Sequence, residues 1–159
     1  MEVCRIIEKD RNLVNNFIIN HWYSTKMIIR GKEIDMTSVD GFYILSEGNI
    51  IGLITYLIDE KSSVMEITSL DSIKENQGIG TMLINRVIEE AKECNVKKIV
   101  LITTNDNINA LKFYQKRGFD MVHLFHNALD VSRKLKPEIP LIGQNSIPLM
   151  HEIEFEMIM

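Results

Sequence analysis

The amino-acid sequence predicts an α/β fold, with a mixed, mostly antiparallel sheet of about six to seven strands flanked by helices on both faces. Three observations carry that prediction. Runs rich in Ile, Leu, Tyr and Phe at 41–45 and 50–58 are followed by a third strand-like run at 64–70, with polar turns between them, as in a meander. Residues 78–94 repeat their apolar positions at the 3.6-residue period of a helix. Short apolar strands then alternate with helix over 97–125, a pattern that requires crossovers packed on a sheet.

Each element has its own justification. Residues 2–7 read as a first strand. Asp10 is placed to N-cap a helix in which Leu13, Val14, Phe17 and Ile18 share a face, and His21, Trp22 and Tyr23 end it. Residues 24–40 are polar and show no regular period. Ser46-Glu47-Gly48-Asn49 supplies turn residues between two strands and predicts a hairpin. On the helix over 78–94, Ile79, Met82, Leu83, Val87, Ala91 and Cys94 form the apolar face, so Cys94 is expected to be buried and inert. Arg86, Glu89, Glu90, Lys92 and Glu93 are left for the outer face. A strand at 97–103, a helix at 107–117 with Gly118 at its C-cap, and a strand at 119–125 follow. Residues 128–150 read as irregular, since Pro137, Pro140 and Pro148 fall there. Ile153, Phe155 and Met157 alternate with Glu152, Glu154 and Glu156 in a half-buried final strand over 151–158. The order is β-α-β-β-β-α-β-α-β-β, and 159 residues suit a single domain spanning 1–159.

Composition narrows the function. With 45% hydrophobic and 25% charged residues, the chain is an ordinary globular protein. A net charge of −4 argues against nucleic acid as a partner, and the groups Lys112, Lys116, Arg117 and Arg133, Lys134, Lys136 read as solvated faces. Cys4 and Cys94 lack metal or redox spacing, and His123, His126 and His151 do not form a ligand set, so no metal is expected. No apolar run reaches membrane-spanning length, and charged residues from Glu2 onward break any signal pattern, so no membrane association and a cytoplasmic location are expected. The apolar final strand and the proline-bearing tail are candidate material for a homodimer interface, with cover inside one chain as the plainer role.

The stretch with most chemical content is Glu75-Asn76-Gln77-Gly78-Ile79-Gly80-Thr81, between a strand and an amphipathic helix. Glycines at such a junction allow a tight turn and leave backbone N–H groups uncovered. The first helical turn adds unpaired donors and a dipole that favours negative charge. Strand, Gly-x-Gly, helix therefore reads as a cradle for phosphate or pyrophosphate. A dinucleotide fingerprint is excluded because Leu83 occupies the place of its third glycine, and no Walker Gly-Lys-Ser/Thr is present.

Downstream, the chain carries Asn107-Ile108-Asn109-Ala110, Phe113-Tyr114 and Gly118-Phe119. In this order the motifs resemble the GNAT superfamily of acyl-CoA-dependent N-acetyltransferases. Members of that family have a Gln/Arg-x-x-Gly-x-Gly/Ala loop after a splayed central strand, then Asn-x-x-Ala, an aromatic-Tyr pair and Gly-Phe. The match is good over 44–125, rests on element order alone over the first forty residues, and hardly extends to the tail. Glu75 departs from it, standing where Gln or Arg is usual, and a carboxylate there repels a pyrophosphate.

The resemblance implies acetyl-CoA as co-substrate and an amine, on a small molecule or on a protein or peptide, as acceptor. It implies that Leu70, Asp71 and Ser72 pair with pantetheine through their backbone, where an N–H could also stabilise an oxyanion. Gln77, Gly78, Ile79, Gly80 and Thr81 would hold the pyrophosphate. Asn107 matches a cofactor-contacting Asn, and is equally suited to N-capping its helix. Tyr114 matches the general acid that protonates the CoA sulfur; with an ordinary pKa near 10 a tyrosine keeps its proton at neutral pH. Glu66, four residues before Leu70, matches a general base present in some members. Period-two alternation puts Val64, Glu66, Thr68 and Leu70 on one face. His21, Trp22 and Tyr23 fall where the family's acceptor site often lies, and could either bind an amine by cation–π contact or simply pack on the core.

The expected activity is N-acetyl transfer by direct attack in a ternary complex. The alternatives are a non-catalytic CoA-binding sensor or interaction module, and an acyltransferase with a longer acyl chain or a non-amine acceptor.

Overall fold

A computed structural model describes residues 1–159. In chain order the elements are β1 (Val3–Arg5), α1 (Arg11–Trp22), β2 (Lys26–Ile29), β3 (Lys32–Asp35), β4 (Asp40–Ser46), β5 (Asn49–Asp59), β6 (Val64–Ser72), α2 (Ile79–Glu93), β7 (Lys98–Thr104), α3 (Ile108–Lys116), β8 (Asp120–Phe125), α4 (Ala128–Leu135) and β9 (Glu152–Ile158). Seven strands form a mixed sheet in the order β1-β4-β5-β6-β7-β9-β8, while β2 and β3 pair separately. The α/β class expected from the sequence is the class observed. The chain gathers into two compact units, one comprising Met1–Met27, Asp35–Ile99 and Met159, the other Ile28–Ile34 and Val100–Ile158.

The first unit is built on the antiparallel run β1-β4-β5-β6. Glu47 and Gly48, at φ 50° and 78°, form the two-residue loop between β4 and β5, both in the left-handed region that a type I′ turn requires. β5 is buried along most of its length because helices cover both of its faces. On one face Tyr56 reaches Glu90 of α2, and on the other Trp22 of α1 reaches Asp71 of β6. α1 buries Val14, Phe17 and Ile18, but Leu13 is exposed. Its N-cap, Asp10, gives no side-chain bond to the helix and instead accepts from the Ile7 N–H at 3.3 Å.

The β5–β6 ladder contains the local feature that matters most for the site. Thr55 faces Ser69 while Tyr56 faces Ile67, so Thr68 is an extra residue, a β-bulge. The Thr55 hydroxyl bonds the hydroxyls of both Thr68 and Ser69, at 2.7 and 2.6 Å, so all three polar groups are paired though buried. The bulge reverses the alternation beyond it. Glu66, Thr68, Ser69 and Asp71 face α1, while Ile67 and Leu70 face α2. Leu70 therefore does not share a face with Glu66, contrary to strict period-two alternation.

α2 is amphipathic as its sequence requires, burying Ile79, Leu83, Ile84, Val87 and Ala91. Two of its residues differ from expectation. Glu90 is buried, not outward-facing, because Arg5 of β1 meets it with both guanidinium nitrogens, at 2.9 and 2.5 Å. Arg86 adds a bond at 2.9 Å and the Tyr56 hydroxyl one at 3.2 Å, while the Arg5 and Arg86 guanidinia lie over the Phe42 ring. Cys94 is exposed, not buried, because it is the C-cap where the helix leaves the sheet. Desolvation and the neighbouring Glu90 carboxylate push its pKa up, which disfavours the thiolate.

In the second unit, Leu101, Tyr114, Phe119, Leu129, Ile153 and Phe155 form the core. β9 pairs antiparallel with β8 and lies between it and β7 in the strand order. It is an interior strand, so Glu152 and Glu154 are buried beside Ile153 and Phe155, instead of facing water. Glu154 is ion-paired with Arg30 and lies 3.6 Å from His123 Nε2. The irregular stretch predicted over 128–150 begins later, since 128–135 is helical as α4 and buries Leu129 and Ser132. The proline segment itself has little regular structure and is tied down by polar contacts. Arg133 donates to the carbonyls of Ile139, Pro140 and Leu149, and Asn105 Oδ1 accepts from the N–H groups of Met150 and His151. The hairpin β2–β3 arises in the stretch that had shown no period; its turn residues Arg30 and Gly31 have φ 54° and 69°.

The Glu90 carboxyl is held below its ordinary pKa of 4.5, first by the Arg5 hydrogen bonds, against the opposing effect of burial, and further by the charges of Arg5 and Arg86. A lowered carboxyl pKa stabilises the fold above the unfolded-state value and loses that effect as the pH falls through the folded-state value. Glu90→Gln should cost about 2 kcal/mol at neutral pH and flatten the loss of stability below about pH 4.5, as read by urea unfolding across the acid range.

Candidate functional site

β6 ends at Ser72 and α2 begins at Ile79, with an exposed connection between them. The ladder reaches one residue beyond the strand, where the Ile73 N–H bonds the Ile51 carbonyl at 3.0 Å. Ser72 then turns back, its hydroxyl donating to the Lys74 carbonyl at 2.9 Å. Asn76 and Gly78 adopt φ 61° and 75°, on either side of Gln77. Glu75 is fully outside the fold and exposed.

Gly78 is the N-cap of α2 and has no side chain with which to cap it. The first intrahelical bond is Met82 N–H to Gly78 carbonyl, 2.9 Å. The N–H groups of Ile79, Gly80 and Thr81 therefore precede the hydrogen-bonded ladder, and no acidic residue lies in that turn. Donors of this kind at the positive end of a 15-residue helix attract an anion with several oxygens.

The helix start is pressed onto the sheet at Gly52 of β5. A Cβ on that residue would lie 2.4 Å from Ile79 Cγ2 and 3.1 Å from Leu83 Cδ1. Only glycine lets the backbone of the strand meet the first turn at this separation.

The predicted site residues of the first unit thus gather at one end of β6 and the start of α2, with Glu66 further back on the strand. Leu70 and Asp71 are half-buried and point to opposite faces, Leu70 toward α2 and Asp71 toward α1. The Asp71 carboxylate accepts from the Trp22 indole N–H at 3.1 Å. Burial raises its pKa above the ordinary 3.8, while the Trp22 bond and nearby His21 pull the other way. His21 is fixed by a 2.8 Å contact from Nδ1 to the Phe17 carbonyl and by stacking on the Phe17 ring at 4.0 Å. Glu66 is half-buried on the same face as Asp71, separated along β6 by about 13 Å.

The second unit holds the other two. Asn107 is the N-cap of α3, its Oδ1 accepting from the Ala110 N–H at 3.1 Å, which leaves its amide NH₂ without a protein partner. Tyr114 is 7% exposed, in an aromatic group with Phe113, Phe119 and Phe155 at ring separations of 5.2, 5.7 and 5.7 Å. The α3 helix ends at Arg117, followed by Gly118 with φ 89°, as the glycine had indicated.

What sequence reading missed is the Trp22–Asp71 contact. Both residues had been singled out, but for separate roles, and nothing local in the sequence links them. No helix is long and apolar enough to cross a membrane, and no three or more His, Cys, Asp or Glu side chains group so as to hold a metal ion.

A strand, a glycine turn and an amphipathic helix seated on a mixed sheet define an α/β protein. Residues 11–119 match the model of the acetyltransferase (GNAT) family, and the chain belongs to that family. It is 46% identical over 154 residues to the uncharacterized protein YxbD of Bacillus subtilis, covering 96% of both chains. Among solved structures it resembles an IAA acetyltransferase from Bacillus cereus, with a TM-score of 0.72 and 21% identity over 99% of each chain. It also resembles a GNAT family acetyltransferase from Elizabethkingia anophelis with acetyl-CoA bound, with a TM-score of 0.66 and 24% identity, over 99% of this chain and 98% of that one.

The seat of α2 can be tested directly. Gly52→Ala should destabilise the protein by about 1–3 kcal/mol through overpacking. Because the added methyl meets Ile79, the double variant with Ile79→Ala should lose less than the sum of the two single losses. Strict additivity in urea unfolding would show that the two groups do not touch.

Proposed function

We propose that the chain is an N-acetyltransferase that moves the acetyl group of acetyl-CoA to an amine by direct attack in a ternary complex. The observation that carries this reading is the first turn of α2, whose N–H groups precede the hydrogen-bonded ladder that starts at Met82 and follow the left-handed Gly78. In this reading Gln77, Gly78, Ile79, Gly80 and Thr81 hold the pyrophosphate. The backbone of Leu70, Asp71 and Ser72 pairs with the pantetheine arm, and the Asn107 amide contacts the co-substrate. Residues 1–159 act as one catalytic domain in the cytoplasm, and the acceptor amine belongs to a small molecule or to a protein or peptide.

The chemistry assigns one proton to each side of the reaction. The amine nitrogen forms a bond to the thioester carbonyl carbon, and the carbon–sulfur bond breaks as the tetrahedral intermediate collapses. Glu66 takes the proton the amine loses, directly or through water. Tyr114 gives its proton to the departing sulfur, so CoA leaves as the thiol. A backbone N–H beside the β6 bulge stabilises the oxyanion between the two steps.

Two measurements test the reading. Acetyl-CoA should bind in calorimetry, and Glu75→Gln should tighten it about two- to fivefold, less at high salt; absence of binding by the unmodified protein removes the co-substrate assignment. With a confirmed acceptor, Tyr114→Phe should lower kcat by about 100-fold or more, and Glu66→Gln should abolish the acid limb of the pH–rate profile. Full turnover in the first variant, or an unchanged profile in the second, sinks the corresponding role.

A further inference from the structure

We propose that the Asp71 carboxylate and the Trp22 indole form a subsite for a cationic group on the acceptor, on the α1-facing side of β6. The proposal rests on the N-acetyltransferase reading for the identity of its ligand as an acceptor. It makes the side chain of Asp71 serve a different partner from its backbone.

The bulge at Thr68 is what permits this division. Leu70 turns toward α2, and Asp71 turns away from it, toward the end of α1. There the carboxylate has one hydrogen-bond partner in the protein, the Trp22 N–H on Oδ2, and no lysine or arginine pairs with it. Glu90 is compensated by Arg5 and Arg86 and Glu154 by Arg30, while the buried Asp106 is held by two neutral donors, the Thr104 hydroxyl and the Gln144 N–H, one more than Asp71 has. A half-desolvated carboxylate with a single neutral donor is costly, and a cation arriving from solution offsets that cost.

The surroundings suit an ammonium group. Trp22 is 38% exposed although its N–H is anchored, and Tyr23, 90% exposed at φ 59°, follows it as the C-cap of α1. A ring held in place beside a carboxylate combines ion pairing with cation–π attraction. The amine that attacks the thioester must be neutral, so a group retained as a cation at Asp71 is a second one. The acceptors that fit are diamines, polyamines and other amines with more than one positive group.

Trp22 is the chain's one tryptophan, so its fluorescence reports on this subsite alone. Spermidine should produce a saturable change at about 150 mM salt, and the uncharged 1,4-butanediol none. Asp71→Asn should weaken the spermidine response about tenfold or more, corresponding to about 1.4 kcal/mol. No saturable response, an equal response to the diol, or one that Asp71→Asn leaves unchanged would overturn the proposal.

In turnover, Asp71→Asn should raise the diamine KM about tenfold, by a larger factor than any change in the acetyl-CoA KM. A rise in the acetyl-CoA KM instead would confine Asp71 to co-substrate binding and also overturn it. If Asp71→Asn does not fold, Trp22→Phe must show the same split, with the diamine KM raised by the larger factor. Failure of acetyl-CoA to bind in calorimetry would defeat the transferase reading, and the fluorescence titration would still decide whether the subsite binds a cation.

Discussion

The candidate site depends on one extra residue in one strand. Thr68 is inserted into β6 opposite Thr55, and three buried hydroxyls, those of Thr55, Thr68 and Ser69, hold the irregularity in place. Without it, alternation would carry Leu70 and Asp71 each to the other face of the sheet. With it, the strand end offers an apolar side chain to α2 and a carboxylate to α1, while Thr68 itself is left without a partner residue in the β5 register. The glycine loop, the helix start and the Trp22 contact are all placed relative to that strand end.

A second constraint fixes α2 at both ends. Its first turn is set against the sheet by the missing side chain of Gly52, and its last turns are tethered through Glu90 to Arg5 of β1. The N–H groups of its first turn thus belong to an element with little freedom to shift. Preorganised donors of this kind bind an anion without the entropic cost of ordering a loop. The exposed Glu75 beside them is the one feature of the loop that opposes an anion.

Much of this was legible in the residues, and what was legible was local. Glu47-Gly48 announced the β4–β5 hairpin because few residue pairs take two positive φ angles. The period of Ile79, Leu83, Val87 and Ala91 announced α2, and Asn107 and Gly118 marked both ends of α3. Arg30-Gly31 makes the same kind of turn as Glu47-Gly48, yet β2 and β3 are only four residues each, too short to show a period. α4 was masked by the prolines that follow it, although those break the chain only after Leu135.

By itself, then, the sequence determined the α/β class, the order of most elements, the glycine turn before α2 and the family to which its motifs point. Each of these is encoded within a few residues, by side-chain period, backbone permissiveness or capping chemistry. Tertiary structure alone decided that Glu90 is buried, because its partner Arg5 is distant in sequence. It decided that β9 is an interior strand, because its neighbour β8 is joined to it only after the long tail has passed. It also decided that Asp71 faces Trp22 and not α2, because a bulge exists only between two paired strands, and no single strand can state on which side of it a residue will fall.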